Sequence, residues 1–326
     1  MGKLNFLMKA FHLGSIKTLF EIRKEVKKKT DKKFVLLDMC YCSLKYQASF
    51  HDYIWFDFYD LNAEQRSTYL TRGKNNEIIK TFNKQEYWHM FDNKTELVDT
   101  FKEFLHRDYL KPNSTKQQYL DFINGKDKII VKPNDGEGGI GIEIVDTKDE
   151  TVYEKYKGYL MEELIKQHHL INEIYDKSVN SLRMFTFYNS DDDIVVIQSV
   201  IKFGNNKVVD NFCSGGMYAF LDDDGNVVTP AVDRYGNEFI NHPLTNKPIL
   251  GFKVPNYEQA KAIIKEAAKK VPQVRYIGWD VAITEEGASL IEGNTYPSIF
   301  QRKPKFAKDK IGEVPYLESI LKIKLH

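Results

Sequence analysis

Cysteine is scarce in this chain. Cys40, Cys42 and Cys213 are the whole complement of its 326 residues. Three thiols exclude a disulfide framework and a four-cysteine zinc site, and they fit a reducing cytosol, so the expected location is cytoplasmic. Long apolar runs are also missing, and no segment reads as a bilayer span. Lys3, Lys9, His12 and Lys17 interrupt the first twenty residues, which therefore lack the core of a signal peptide. Phe6 stands where an N-myristoylation signal needs Ser or Thr. Neither charge sign dominates: 47 Lys and Arg against 46 Asp and Glu give +1, so nothing global calls for nucleic acid. There is no Walker A sequence, no repeat, and no convincing Ser/His/Asp or Cys/His arrangement. What is left is an ordinary globular composition, 42% hydrophobic and 29% charged, long enough for two or three packed subdomains.

The most informative stretch is Tyr276 to Asn294. Its first half is aromatic and β-branched, Glu285-Glu286-Gly287 is a turn signal, and Ala288 to Glu292 reads as a second strand. A turn centred on Glu286 sets Asp280 opposite Glu292, with Asn294 on the same face as Glu292. Two carboxylates opposed at about 5 Å repel each other. A divalent cation removes that penalty, and the all-oxygen set Asp280, Glu292 and Asn294 suits magnesium. A solvent-exposed hairpin with scattered acids is the plainer alternative.

Upstream, Ile129 to Lys132 is a compact strand ending at Pro133. Asp135-Gly-Glu-Gly-Gly-Ile-Gly141 follows, and then the alternating residues Ile140 to Val145. A dinucleotide fingerprint needs a helix after its glycines. Here a strand follows, so the segment reads as a flap. Its glycines Gly136, Gly138, Gly139 and Gly141 let backbone N–H groups approach phosphate oxygens, and Lys132 adds a positive charge. His106-Arg107-Asp108 imitates a protein-kinase catalytic loop, but it precedes the glycine loop and no D-F-G follows.

Other segments read more simply. Residues 1 to 33 predict a helix, with Leu4, Leu7, Met8 and Phe11 at helical spacing and a strongly basic end from Lys24 to Lys33. That end is a solvated face, or a contact for an anionic membrane surface or a lipid-linked anionic substrate. Residues 34 to 60 mix aromatic and polar groups, and Asp38, Tyr41, Lys45, Tyr46 and Asp52 are acceptor-binding candidates on polarity alone. Helices are predicted over 94–106, 115–124 and 257–271. Strands are predicted over 159–165, 182–188 and 194–203, the first ending in Glu162 and Glu163. His168-His169 read as surface histidines or a ribose contact, and Arg234 and Arg302 as surface arginines or substrate anchors.

Taken in order, these parts resemble an ATP-grasp enzyme. The carriers are Lys94, then Ile130-Val-Lys132-Pro with its flap, then Met161-Glu-Glu-Leu164, then Asp280 and Glu292-Gly-Asn294. More narrowly the chain resembles the sugar-transfer-associated ATP-grasp family of bacterial surface-polysaccharide gene clusters. Asp38-Met-Cys-Tyr-Cys42, Ala48-Ser-Phe-His-Asp52-Tyr53, Asn211 with Gly215-Gly216, GWDVAIT and LIEGN carry that likeness. Gln47 departs from it, standing where that family has a glycine.

The resemblance implies an α+β ATP-grasp fold with a mainly helical N-terminal region. Residues 1–93 would be that region and a candidate acceptor-binding part, 94–160 the nucleotide subdomain with the flap, and 161–326 the subdomain with the metal site. Lys94 and Lys132 would bind ATP phosphates and the flap would close over them. Backbone near Met161 and Leu164 would hold adenine, with Glu162 or Glu163 at the adenine amino group or ribose. Asp280, Glu292 and Asn294 would hold Mg2+, and Arg183 would stabilise the transferring phosphoryl group. The activity implied is an ATP-dependent carboxylate–amine ligase working through an acyl phosphate, with a sugar acid as the expected substrate. Its partners would be small or sugar-linked carboxylates and amines. A small-molecule kinase with the same residues is the alternative, and a scaffold that lost the chemistry is a third.

Overall fold

A computed structural model describes residues 13–134, 141–205 and 215–326, and they form two units. The first comprises residues 1–82 and 298–326, the second residues 83–297.

The first unit is helical. Its helices are α1 (Leu13–Val26), α2 (Val35–Tyr46), α3 (Phe50–Trp55), α4 (Ala63–Ser67) and α5 (Arg72–Phe82). The sequence predicts a helix running to residue 33, but α1 stops at Val26. The lysines after it would repel one another at one and four residues' separation, and Lys27 to Lys29 form a turn instead. Residues Leu4 to Phe11 lie outside the described residues. Two capping boxes start α3 and α4. Ser49 and Asp52 exchange side-chain and backbone hydrogen bonds, as do Asn62 and Gln65. Gln47 ends α2 at φ 53°, in the left-handed region that favours glycine.

Most of the polar groups singled out in this region serve the fold. Both oxygens of Asp38 accept from the Arg66 guanidinium, at 2.7 and 2.6 Å, and Tyr53 Oη donates to the same carboxylate at 2.7 Å. The Asp52 carboxylate caps α3 and also accepts from the Arg72 N–H at 2.8 Å. Tyr46 is buried and donates to the Ala63 carbonyl at 3.2 Å. The core beneath is Val35, Met39, Cys42, Tyr53, Phe58 and Tyr69. The last residues return to this unit. Gln301 bonds the Leu70 N–H and carbonyl, and the helix Val314–Leu321 begins with Val314 N–H donating to Thr68. The sequence reading placed these residues with the metal-bearing subdomain; their hydrogen bonds tie them to the N-terminal helices.

The second unit runs α6 (His89–Asp92), α7 (Lys94–Leu105), β1 (Tyr109–Leu110), α8 (Lys116–Ile123), β2 (Lys128–Pro133), β3 (Glu143–Asp146), α9 (Val152–Tyr156), β4 (Tyr159–Glu163) and α10 (His169–Ile174). It continues with β5 (Leu182–Ser190), β6 (Asp193–Phe203), β7 (Met217–Phe220), β8 (Ala231–Asp233), β9 (Glu238–Phe239), α11 (Tyr257–Lys270), β10 (Tyr276–Thr284) and β11 (Gly287–Asn294). Two antiparallel sheets result, β1-β4-β2-β3 and β11-β10-β5-β6-β7-β8-β9. This is an α+β fold.

The predicted buried face of α11 is present. Ala260, Ile264, Ala267 and Val271 are buried and Ile263 is half-buried. They join a core with Trp279, Phe91, Phe101 and Leu290. No helix among the described residues is long and apolar enough to cross a membrane.

Candidate active site

The β10–β11 hairpin has an irregularity that sets its chemistry. Thr284 pairs with Gly287 around the two-residue turn Glu285-Glu286, and pairing runs regularly to Val281 with Leu290. From there a regular ladder would put Asp280 opposite Ile291. Instead a bulge makes Ile291 the extra residue, and Asp280 faces Glu292. The predicted pair is therefore right, although the turn is one residue shorter than supposed. The strand also continues to Asn294, which faces Gly278.

Glycines fit the two faces of this hairpin. Gly293 lies between Glu292 and Asn294 on the core side. A Cβ there would stand 2.8 Å from Phe91 Cδ1 and 2.9 Å from Trp279 Cζ3. Gly278 does the same on the opposite face, where a Cβ would meet Pro297 at 2.8 Å and Arg183 Cδ at 3.3 Å. The Glu-Gly-Asn sequence thus presents two oxygen-bearing side chains on one face and clears room for an aromatic core on the other.

Asp280 sits between Glu292 on β11 and Arg183 on β5 in one cross-strand row. Arg183 grips it through Nε–Oδ1 at 2.5 Å and Nη2–Oδ2 at 2.9 Å. Lys202 on β6 reaches Oδ2 at 3.2 Å. Burial alone would raise the Asp280 carboxyl; Arg183 and Lys202 overcome it and hold the group far below the usual carboxylate range. The carboxylate repulsion inferred from the sequence is thus offset by two cations of the protein itself. Arg183, expected at the transferring phosphoryl group, spends Nε and Nη2 on Asp280. Lys202 was not singled out by the sequence, although a lysine between Ile201 and Phe203 in an apolar strand was the available signal.

A second buried cluster lies on the smaller sheet. Glu162 on β4 pairs with Lys132 on β2, and its Oε1 accepts from Arg107 Nη2 at 2.7 Å. Burial would raise its carboxyl, yet Lys132 and Arg107 bring it down to about 2. The Glu162 carboxylate, expected at adenine or ribose, is engaged by Lys132 and Arg107, and Lys132 is ion-paired with it. Arg107 Nη1 also donates to the Leu290 carbonyl at 2.6 Å and to Ser289 Oγ at 3.2 Å. It thereby ties β4 to β11. The sequence reading passed over Arg107 because its neighbours mimic a kinase loop.

The remaining expected residues lie around this cluster. Met161 pairs with Leu110 on one side and Val131 on the other, so its backbone lies inside two ladders. The β2 ladder ends at Glu163, whose N–H donates to the Asp108 carbonyl, and Leu164 lies beyond both ladders. Lys94 opens α7 behind the cap Asn93, and its N–H donates to the Asn134 carbonyl at 3.2 Å. Thr95 holds the Asn134 side chain through Oγ1 at 2.9 Å. That fixes the chain where the glycine loop departs. Gly136, Gly138 and Gly139 lie outside the described residues, as does Asn211. Gly141 takes φ +76°, and a Cβ there would stand 2.8 Å from Pro133.

Residues 152–302 match the family model described as sugar-transfer associated ATP-grasp. That segment, just under half of the chain, carries its likeness to the ATP-grasp superfamily. No curated protein matches it. Among solved structures it resembles the ATP-grasp ligase PsnB in complex with precursor peptide PsnA2 and AMPPNP. Identity is 13% over 74% of this chain and 61% of that one, with a TM-score of 0.43. It also resembles D-alanine–D-alanine ligase from Helicobacter pylori, at 16% identity over 70% of this chain and 63% of that one, TM-score 0.41. The same enzyme from Bacillus anthracis gives 14%, 72%, 63% and 0.39. The chain spans less than two thirds of these structures.

An ATP-grasp site calls for a divalent cation, and the donor set can be tested for one. Glu292 and Asn294 are half-buried on the Asp280 face. Asn294 Nδ2 donates to the Gly278 carbonyl at 3.2 Å and to Glu292 Oε1 at 3.4 Å. With Asp280 they make an all-oxygen set of the right kind for magnesium. A metal at Asp280 would share that carboxylate with Arg183 and Lys202. His168, His169 and Glu285 gather at the far, turn end of the β10–β11 hairpin. There His168 Nδ1 caps α10 by accepting from Leu170, and Glu285 accepts from the His169 N–H at 2.7 Å. These contacts account for that cluster.

Proposed function

We propose that the chain is an ATP- and Mg2+-dependent carboxylate–amine ligase of the ADP-forming kind. Its substrate is a sugar acid of a cell-surface polysaccharide precursor, and it works in the cytoplasm. The observation that carries the reading is the in-register row Glu292, Asp280 and Arg183, with Lys202 beside it, inside the segment that matches the family.

Joining a carboxylate to an amine needs an activated acyl group. A carboxylate oxygen attacks the γ-phosphorus of ATP, ADP leaves, and the amine displaces phosphate from the acyl carbon. Such a site positions groups and neutralises charge, without a nucleophilic side chain. Arg183 and Lys202 would stabilise charge on the transferred group, with Lys94 and Lys132 on the nucleotide phosphates. Leu164, beyond the β4 ladders, is the backbone position for adenine. Glu292 and Asn294, joined by Asp280, would hold magnesium, which supplies further charge neutralisation when bound.

Hydroxylamine trapping tests the reading. With ATP, magnesium and the right carboxylate, a hydroxamate should accumulate and inorganic phosphate should be released. ATP turnover with no hydroxamate from any carboxylate would remove the ligase assignment. Phosphate retained on the product would reassign the site to a small-molecule kinase.

A further inference from the structure

Helix α2 divides its apolar side chains between two destinations. Val35, Met39, Cys42 and Tyr46 are buried in the N-terminal unit. Phe34, Leu37, Tyr41 and Leu44 are exposed, at 72, 66, 45 and 50%. Their spacing of three, four and three residues puts them in one row along the helix. A helix facing only water on that side would carry polar residues there. A contiguous exposed apolar row of this kind marks an interaction surface.

The row has a cationic margin. Lys27, Lys28, Lys29, Lys32 and Lys33 are all exposed and directly precede Phe34. Lys27 Nζ donates to the Lys32 carbonyl at 2.5 Å, which folds the segment back on itself and keeps its charges close together. Of the two acids in this stretch, Glu25 is held by Lys28 at 2.7 Å, and Asp31 is the other. Asp38, on α2, is neutralised by Arg66. At the far end Lys45 stands over the Tyr41 ring, 5.4 Å from its centroid. An amine at the end of an apolar stem, beside an aromatic ring, suits a boundary between apolar and charged phases.

We propose that this face of α2 seats on an anionic bilayer surface. Phe34, Leu37, Tyr41 and Leu44 enter the boundary between headgroups and acyl chains, and the lysines of residues 27–33 lie on the headgroups. Charge complementarity selects this occupant. A second copy of the chain would bring its own lysines against these, which costs free energy. An anionic lipid surface satisfies the row and the lysines together. The inference rests on the N-terminal unit alone and does not depend on the ligase reading.

The full chain can be sedimented with vesicles of phosphatidylcholine alone or with about 30% phosphatidylglycerol. Binding should require phosphatidylglycerol and fall away in about 0.5 M salt. The variant Leu37→Ser/Leu44→Ser should bind on the order of tenfold more weakly. So should Lys27→Gln/Lys28→Gln/Lys29→Gln. All five positions are exposed, so both variants should unfold at the wild-type temperature. No binding to phosphatidylglycerol vesicles, or wild-type binding by the leucine variant, would overturn the proposal. A wild-type dimer that the leucine variant dissociates would overturn it too, by giving the face to a second copy.

Discussion

Glu162→Gln is the substitution that tests the buried cluster on the smaller sheet. It keeps the shape of the side chain and removes its charge. The side chains of Glu162, Arg107 and Lys132 are 2, 4 and 13% exposed, so water cannot replace the lost anion. Arg107 keeps its carbonyl partners at Leu105 and Leu290, whereas Lys132 loses the carboxylate it is paired with. The magnitude follows from the carboxyl, whose pKa falls from 4.5 to about 2 on folding. A tenfold change in proton affinity between the unfolded and folded chain is worth about 1.4 kcal/mol, so the cluster contributes about 3 kcal/mol at pH 7. Loss of one member of a buried pair costs about 3–5 kcal/mol in other proteins, which agrees. Over the roughly 215 residues from Asn83 to Pro297, an unfolding entropy of about 2.1 cal/mol/K per residue converts 3 kcal/mol into about 7 °C of Tm.

The pH dependence distinguishes this cause from simple misfitting. The folded value lies below the ordinary one, so the stabilisation is complete above about pH 4.5 and is lost as pH falls towards 2. The wild-type advantage over Glu162→Gln should shrink to roughly half at pH 3. Urea unfolding of both proteins between pH 7 and pH 3 measures it. A gap of less than about 1 kcal/mol at pH 7, or one that does not narrow in acid, would refute the argument.

Two further substitutions probe single sites. Gly293→Ala drives a methyl into Phe91 and Trp279 and should cost about 1–3 kcal/mol in thermal unfolding, without change in the secondary structure seen by circular dichroism. Asp52→Ala strips acceptors from the Ser49 and Arg72 N–H groups and should cost about 1–3 kcal/mol. Burial lifts the Asp52 carboxyl from 3.8 to about 6. Its contribution therefore declines as pH rises through 6, and the Ala variant should lose that slope.

Local pattern made most of the fold readable. Runs of apolar, aromatic and β-branched residues gave β5, β6 and β10, helical spacing gave the buried face of α11, and the glycine loop reads as strand–loop–strand because Ile142, Ile144 and Val145 follow it. What stayed hidden depends on contacts between distant residues. Nothing near Lys202 in the chain says that it reaches Asp280, 78 residues later. Arg107 spans 55 residues to Glu162 and 183 to Leu290. The bulge at Ile291 was invisible for another reason. A turn supposed one residue too long gives the same Asp280–Glu292 pair as a tight turn followed by an extra residue. Asp38 and Asp52 show the converse error: polarity in an apolar segment looked like a substrate site, whereas each is consumed by Arg66 or by a helix cap.

Asp280 faces two demands on one carboxylate, and this shapes how metal and nucleotide bind. Both of its oxygens accept from Arg183 and Lys202. A magnesium ion using Asp280 competes with these cations for its negative charge and brings further positive charge beside them. Nucleotide phosphates offer those cations new partners. Metal and nucleotide should therefore bind better together than apart, and by reciprocity each should improve the other equally. Isothermal titration should find magnesium bound about 5–150-fold more tightly with ADP present than without it. Lys202→Met removes one competitor for Asp280 and should narrow that ratio chiefly by strengthening magnesium binding to the nucleotide-free protein. Equal magnesium affinity with and without ADP would mean that the grip of Arg183 and Lys202 on Asp280 is not what the metal has to overcome.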